Sequence, residues 1–184
     1  MRFDVILNET DRYVLPPEQA TTLGGARADG TLIEVLPGVL APPRLLDTRS
    51  GRAAIARTHT FVGMCVIGAS AAWMWAGGPP PYHLERGTWR RDRTGAAKHL
   101  PVLGPSYEHC TLAGIEVATP RQALVDLAAG QADDEALGDA AKALAPLGVT
   151  ARDALALSAS QRGVRGGPKA RARLRRLVPD RPLG

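Results

Sequence analysis

The sequence predicts an α+β protein, and three observations predict it. Residues 114–129 join a strand directly to a helix, residues 82–118 read as antiparallel strands, and four helical stretches follow between residues 119 and 178. The first of these anchors the others. Ile115 and Val117 flank Glu116 with the alternation of a half-buried strand. Thr119 then suits an N-cap, because its hydroxyl accepts from an otherwise orphan amide, and Pro120 at the first helical position loses nothing by lacking an N–H. Ala123, Leu124, Leu127 and Ala128 form one apolar stripe, with Asp126 beside it about one turn after Gln122.

Taken from the start, residues 1–43 read as a small N-terminal module. Phe3, Val5 and Leu7 alternate as a strand. Residues 16–23 suit a short helix that opens at two prolines and is stopped by Gly24-Gly25. Residues 30–40 read as two short strands around a Pro37-Gly38 turn, the form of a wing hairpin.

Residues 44–161 form the larger part. A helix over 49–61 has Asp47 or Thr48 as its cap, and a second, over 66–75, is apolar nearly all round and therefore buried. Gly77, Gly78 and the prolines after them end it. Residues 82–85 and 100–103 suit strands, and 110–112 with 115–117 suit a hairpin turning at Ala113-Gly114. Helices are expected over 120–129, 133–147, 150–161 and 169–177. Asp133, Asp134 and Glu135 in a first turn suit the helix dipole, and Thr150 with Asp153 makes a capping box in which Asp stands for Glu.

Composition narrows the functional classes. No run reaches the roughly 18 apolar residues that a bilayer span needs, and the charged, short-cored N-terminus does not suit a signal peptide. The two cysteines, Cys65 and Cys110, suggest free thiols in the cytoplasm. His59, His83, His99, His109 and the cysteines share no metal-ligand spacing, so no metal and no cofactor is expected. No nucleophile elbow, phosphate loop or dinucleotide fingerprint occurs; Gly68-Ala69-Ser70 mimics part of the elbow but falls within a helix. The expectation is a protein that is not an enzyme.

Charge is unevenly placed. The chain carries a net +5, whereas residues 162–184 alone hold 8 basic residues against 1 acidic. Such a block suits a polyanion. Two segments are candidate DNA phosphate contacts. One is the loop from Arg86 to Arg93, with Arg86, Arg90, Arg91 and Arg93, and with Trp89 placed to stack or insert. The other is the final basic segment with Arg162, Arg165, Lys169, Arg171, Arg173, Arg175 and Arg176, whose helix also offers N-terminal amides to a phosphate. A second reading of that helix stays open: it folds against the acidic stretch 131–161.

Three strings carry a family resemblance. Thr119, Pro120, Leu124, Asp126 and Leu127 match the element V-T-S-P-x-R-T-L-L-D-L, with Arg121 displaced by one position. Gly30, Leu32, Val35, Gly38 and Val39 match G-x-L-x-R-V-x-R-G-V-Y, and Ser70, Ala71, Ala72 and Gly77 match L-S-H-x-S-A-A-x-L-H-G. In their order along the chain, 30–39, 70–77 and then 119–127, they resemble the AbiEi-type antitoxin and transcriptional regulator family of type IV toxin–antitoxin systems. The resemblance implies a winged helix that binds operator DNA, then an α+β domain that in some members antagonises a nucleotidyltransferase toxin. Here only six residues, 24–29, separate the first helix from the hairpin, and Glu34 and Pro37 replace the usual arginines. A recognition helix does not fit there, so the module is expected to be a degenerate winged helix. The sequence therefore suggests a DNA-binding regulator or, alternatively, a protein-interaction module that docks on a toxin or larger assembly through its basic segment 162–184.

Overall fold

In the computed structural model, residues 3–7, 12–15, 23–90, 99–161 and 166–178 are described. They form an α+β protein with two four-stranded mixed sheets and a layer of helices. The first sheet has the order β2-β1-β4-β3, from β1 (Phe3–Ile6), β2 (Arg12–Leu15), β3 (Ile33–Leu36) and β4 (Val39–Ala41). The hairpin expected over 30–40 is β3–β4, turning at Pro37 and at Gly38, whose φ of 77° suits glycine. Glu34 tightens that turn by accepting from the Gly38 amide at 2.9 Å.

Part of the N-terminal expectation is corrected. Gly24-Gly25 does not stop a helix; it opens one, α1 (Gly24–Ala28). Packing decides this: Leu23 and Ala26 lie against Val5, Leu32 and Leu40, and the Leu32 amide donates to the Ala26 carbonyl at 2.9 Å. Tertiary contact outweighs the low helix propensity of glycine. The helix expected over 16–23 lies, apart from Leu23, outside the described residues.

The second sheet has the order β6-β5-β8-β7, from β5 (Met64–Val66), β6 (Arg86–Thr88), β7 (His109–Leu112) and β8 (Ile115–Ala118). The β7–β8 hairpin is the expected one, with Cys110 opposite Val117 and Thr111 opposite Glu116. Its two turn residues, Ala113 at φ 45° and Gly114 at φ 83°, both take the positive φ that a two-residue hairpin requires. Two expectations are displaced. Val66 ends a strand instead of opening a helix, because a short apolar run reads the same in either state and pairing on both sides of β5 decides it. The strand expected over 82–85 begins at Arg86, and residues 100–103 contribute one parallel bridge, Thr88 with Val102.

Because β5 and β8 are parallel, the helices that follow them, α3 (Gly68–Ala76) and α4 (Pro120–Ala129), start at the same end of the sheet. The helix α2 (Arg49–Arg57) is capped by the Thr48 hydroxyl, which accepts from the Gly51 amide at 3.0 Å. It ends four residues short of the expected Phe61. Three further α-helices follow among the described residues: α5 (Asp134–Leu144), α6 (Ala151–Ser160) and α7 (Gly167–Leu177). The capping box of Thr150 and Asp153 is present at the start of α6. One continuous core joins Ile6, Val35 and Leu36 of the first sheet to Ile55, Met74, Val117, Leu124, Leu157 and Leu174.

Two glycines separate packing from propensity. In α2, a Cβ on Gly51 would collide with the backbone carbonyl of Leu45, which cannot retreat without moving the turn before the helix; around Gly138 in α5 there is open space. Gly51→Ala is expected to destabilise by about 2 kcal/mol or more, whereas Gly138→Ala stabilises by about 0.5–1 kcal/mol. Denaturant melts of the two variants check the contrast in sign.

Candidate nucleic-acid interface

The joint between α3 and α4 is polar. Asp126, half-buried on α4, accepts from the Gly68 amide at 3.2 Å with Oδ2, from the Tyr107 hydroxyl with the same oxygen, and from Gln122 Nε2 at 2.9 Å with Oδ1. Gln122, 1% exposed, accepts in turn from the Glu108 amide and from Gln161 Nε2. Gln161 also donates to the Ser106 carbonyl at 2.9 Å. Glu85 covers the other side of the α3 start, where its Oε2 accepts from the Ala69 amide at 2.9 Å. Gly68 suits its φ of 58°, which side-chain-bearing residues rarely adopt, and a Cβ there would push aside the flexible end of Glu85. Two carboxylates at a helix N-terminus suit its dipole.

Electrostatics follow from this enclosure. Burial pushes the Asp126 carboxyl up to about 6, against the opposing effect of its three donors. Desolvation likewise raises Glu85. Burial, then the neighbouring Asp126 charge, raises the Tyr107 hydroxyl. Burial pushes the Cys65 thiol up to about 12, far from the thiolate that nucleophilic chemistry needs. Among the described residues no group of three or more His, Cys, Asp or Glu is placed to hold a metal ion.

Above this joint lies an aromatic patch. Trp89 packs on His109 with ring centroids 4.4 Å apart and meets Tyr107 edge-on at 6.1 Å. Arg90 is exposed beside it, and His109 Nε2 lies 3.3 Å from Glu116. Residue 91 follows Arg90 in the chain, and residue 162 follows Gln161, which is tied to Ser106. The described residues that precede the arginines at 91–93 and 162–165, Arg90 and Gln161, are thus linked through Trp89 and Ser106 to the neighbourhood of Tyr107.

The individual cations divide into distinct groups. Arg86 belongs to β6 and donates to the His59 carbonyl, so it is not a free loop residue. Arg91, Arg93, Arg162 and Arg165 lie outside the described residues. Arg173 is corrected as a phosphate contact: it is 6% exposed and donates to the Leu127 and Ala128 carbonyls and to Asp134, the last at 2.7 Å. Arg176 pairs with the other oxygen of Asp134 at 2.9 Å, and these guanidinium groups hold the Asp134 carboxyl below its ordinary range. Lys169 donates to the Gly130 carbonyl and Arg171 to the Ser158 carbonyl. Helix α7 thus folds against the acidic stretch, and its Ala170 and Leu174 are in the core. Arg175 is exposed.

Of this neighbourhood, the sequence marked Trp89, the arginines and the Gln122–Asp126 spacing of four residues. Tyr107, Glu85 and Gln161 carried no local signal, since each is recruited from a distant segment. The fold and site define an α+β protein, and among the described residues no helix is long and apolar enough to cross a membrane. No family model, curated protein or solved structure matches the chain.

Two outcomes are expected. For Asp126 the folded value of about 6 exceeds the ordinary 3.8, so the folded state binds the proton more tightly. Its contribution to stability is full below about pH 4 and is lost as pH rises through about 6. Between pH 5 and 7 wild-type stability should fall by on the order of 1 kcal/mol more than that of Asp126→Asn, measured by urea unfolding at each pH. Arg173→Ala strands buried carbonyls at the end of α4 and should cost about 2–3 kcal/mol; Arg175→Ala should leave the melt unchanged.

Proposed function

We propose that this chain is a non-enzymatic, cytoplasmic DNA-binding protein, an AbiEi-type antitoxin-like transcriptional regulator. It contacts duplex phosphates through arginines of the two sequence segments that adjoin Arg90 and Gln161. The observation that carries the reading is the convergence just described: the Gln161–Ser106 bond and the Trp89–Tyr107 contact link the residues that precede those segments to one neighbourhood. Arg90 and Trp89 supply a cation and a stacking face at that point. Arg91, Arg93, Arg162 and Arg165 follow in the chain and extend the positive field. The hairpin β3–β4 supports the family resemblance, while major-groove reading by the five-residue α1 does not suit its length. A nucleotidyltransferase-type toxin remains the protein partner that the resemblance implies.

The test is fluorescence-anisotropy binding to random duplex DNA across a salt series. Truncation at Gln161 is unsuitable, because α7 belongs to the core. Substitution at the surface avoids this. Arg90, Arg91 and Arg93 changed together to Ala, and separately Arg162 and Arg165 changed to Ala, should each flatten the salt slope by about 0.9 per phosphate contact removed. Binding with a flat slope in the wild type refutes the reading. So does the absence of duplex binding by a protein that co-purifies with a stoichiometric toxin-like partner.

A further inference from the structure

We propose that the turn over residues 60–63 is an apolar wedge that enters the minor groove of duplex DNA and unstacks a base step. This deepens, and rests on, the DNA-binding reading. At the tip of that turn Phe61 is 63% exposed and Val62 107% exposed, side chains that burial ordinarily claims. Neither belongs to the core cluster, so the fold does not use them.

The tip is held firmly and stands beside the aromatic patch. The Met64 amide donates to the Phe61 carbonyl at 3.0 Å, and the Thr60 hydroxyl donates to the Ala56 carbonyl. Gly63, at φ 87°, makes the bend, and its carbonyl accepts from the Trp89 amide at 3.4 Å and the Thr88 hydroxyl at 3.3 Å. The same hydroxyl reaches the Arg90 carbonyl at 3.1 Å. The wedge and the arginine segment thus share one backbone joint. Val102, 48% exposed, bridges Thr88 on the far side of that joint.

Within the two segments that form the joint the charges have one sign, and the nearby carboxylate of Glu116 is 3.3 Å from His109 Nε2. Arg57, exposed at the end of α2, Arg86 and Arg90 flank the turn, and no Asp or Glu occurs in residues 57–63 or 86–90. An apolar tip within a cationic rim suits a polyanion with an apolar interior. Duplex DNA meets both demands: architectural proteins insert Phe, Leu or similar side chains between base steps while cations hold the backbone. A bilayer is the less favoured partner, because two side chains bury too little apolar area to anchor a protein there unaided.

The experiment uses the full chain and a labelled duplex carrying 2-aminopurine at a TA step, where unstacking is easiest. Wild-type binding should raise the 2-aminopurine fluorescence. Phe61→Ser with Val62→Ser, both exposed and so harmless to the melt, should abolish that rise and weaken binding roughly tenfold, with the salt slope unchanged. Arg90→Ala should lower the slope and keep the rise. Wild-type binding without a rise, or a double variant that retains both affinity and rise, overturns the wedge and leaves the DNA reading standing. Failure of every form to bind duplex overturns both; anionic vesicles bound through Phe61 and Val62 would then assign the tip to a membrane surface.

Discussion

The carboxylate of Asp126 is the constraint on which the second half of the fold depends. It stands on one helix and satisfies the first amide of another, so α3 and α4 share an origin as well as a sheet. An unpaired amide buried at that joint would cost about 1–3 kcal/mol, and an unpaired carboxylate would cost more. Gln122 and Tyr107 donate to the same carboxylate, and Gln161 and the Glu108 amide donate to the Gln122 side-chain carbonyl. Four segments far apart in the chain are thereby locked in register. The glycine at position 68 is the geometric condition for this, since its φ of 58° is one that other residues rarely adopt.

Arginine has a second task here. Arg49 and Arg52 of α2 donate to the Trp75 and Met74 carbonyls at the end of α3, and Arg52, 4% exposed, also reaches the Leu46 carbonyl. Arg173 and Lys169 do the same for the end of α4. Cations at helix C-termini complement the dipole and satisfy carbonyls that have no intrahelical partner. Much of the positive charge is therefore structural. A basic composition is weaker evidence for a nucleic-acid partner than its total suggests, because cations engaged at these caps are not offered to phosphates.

How far the sequence spoke depends on the range of the interaction involved. The strand–cap–helix unit at 115–129 was legible because Thr119, Pro120 and the apolar stripe act within a few residues. The β7–β8 hairpin and the capping box of α6 were legible for the same reason. The helix at Gly24–Ala28 was not, because two glycines argue against it and only contact with the first sheet supports it. Val66 was misread because a short apolar run acquires its state from the strands that pair with it. For the final helix, the choice between free cationic surface and packed helix turned on Asp134, 39 positions before Arg173.

By itself, then, the sequence determined the α+β class, the caps and turns, and the two arginine-rich segments, all consequences of local backbone chemistry and side-chain period. The tertiary structure alone decided which cations are engaged in helix capping, that Trp89 and Gln161 meet neighbouring residues Tyr107 and Ser106, and that Phe61 and Val62 remain outside the core. The physical reason is that burial and pairing are properties of groups meeting across long sequence separations, which no local pattern encodes.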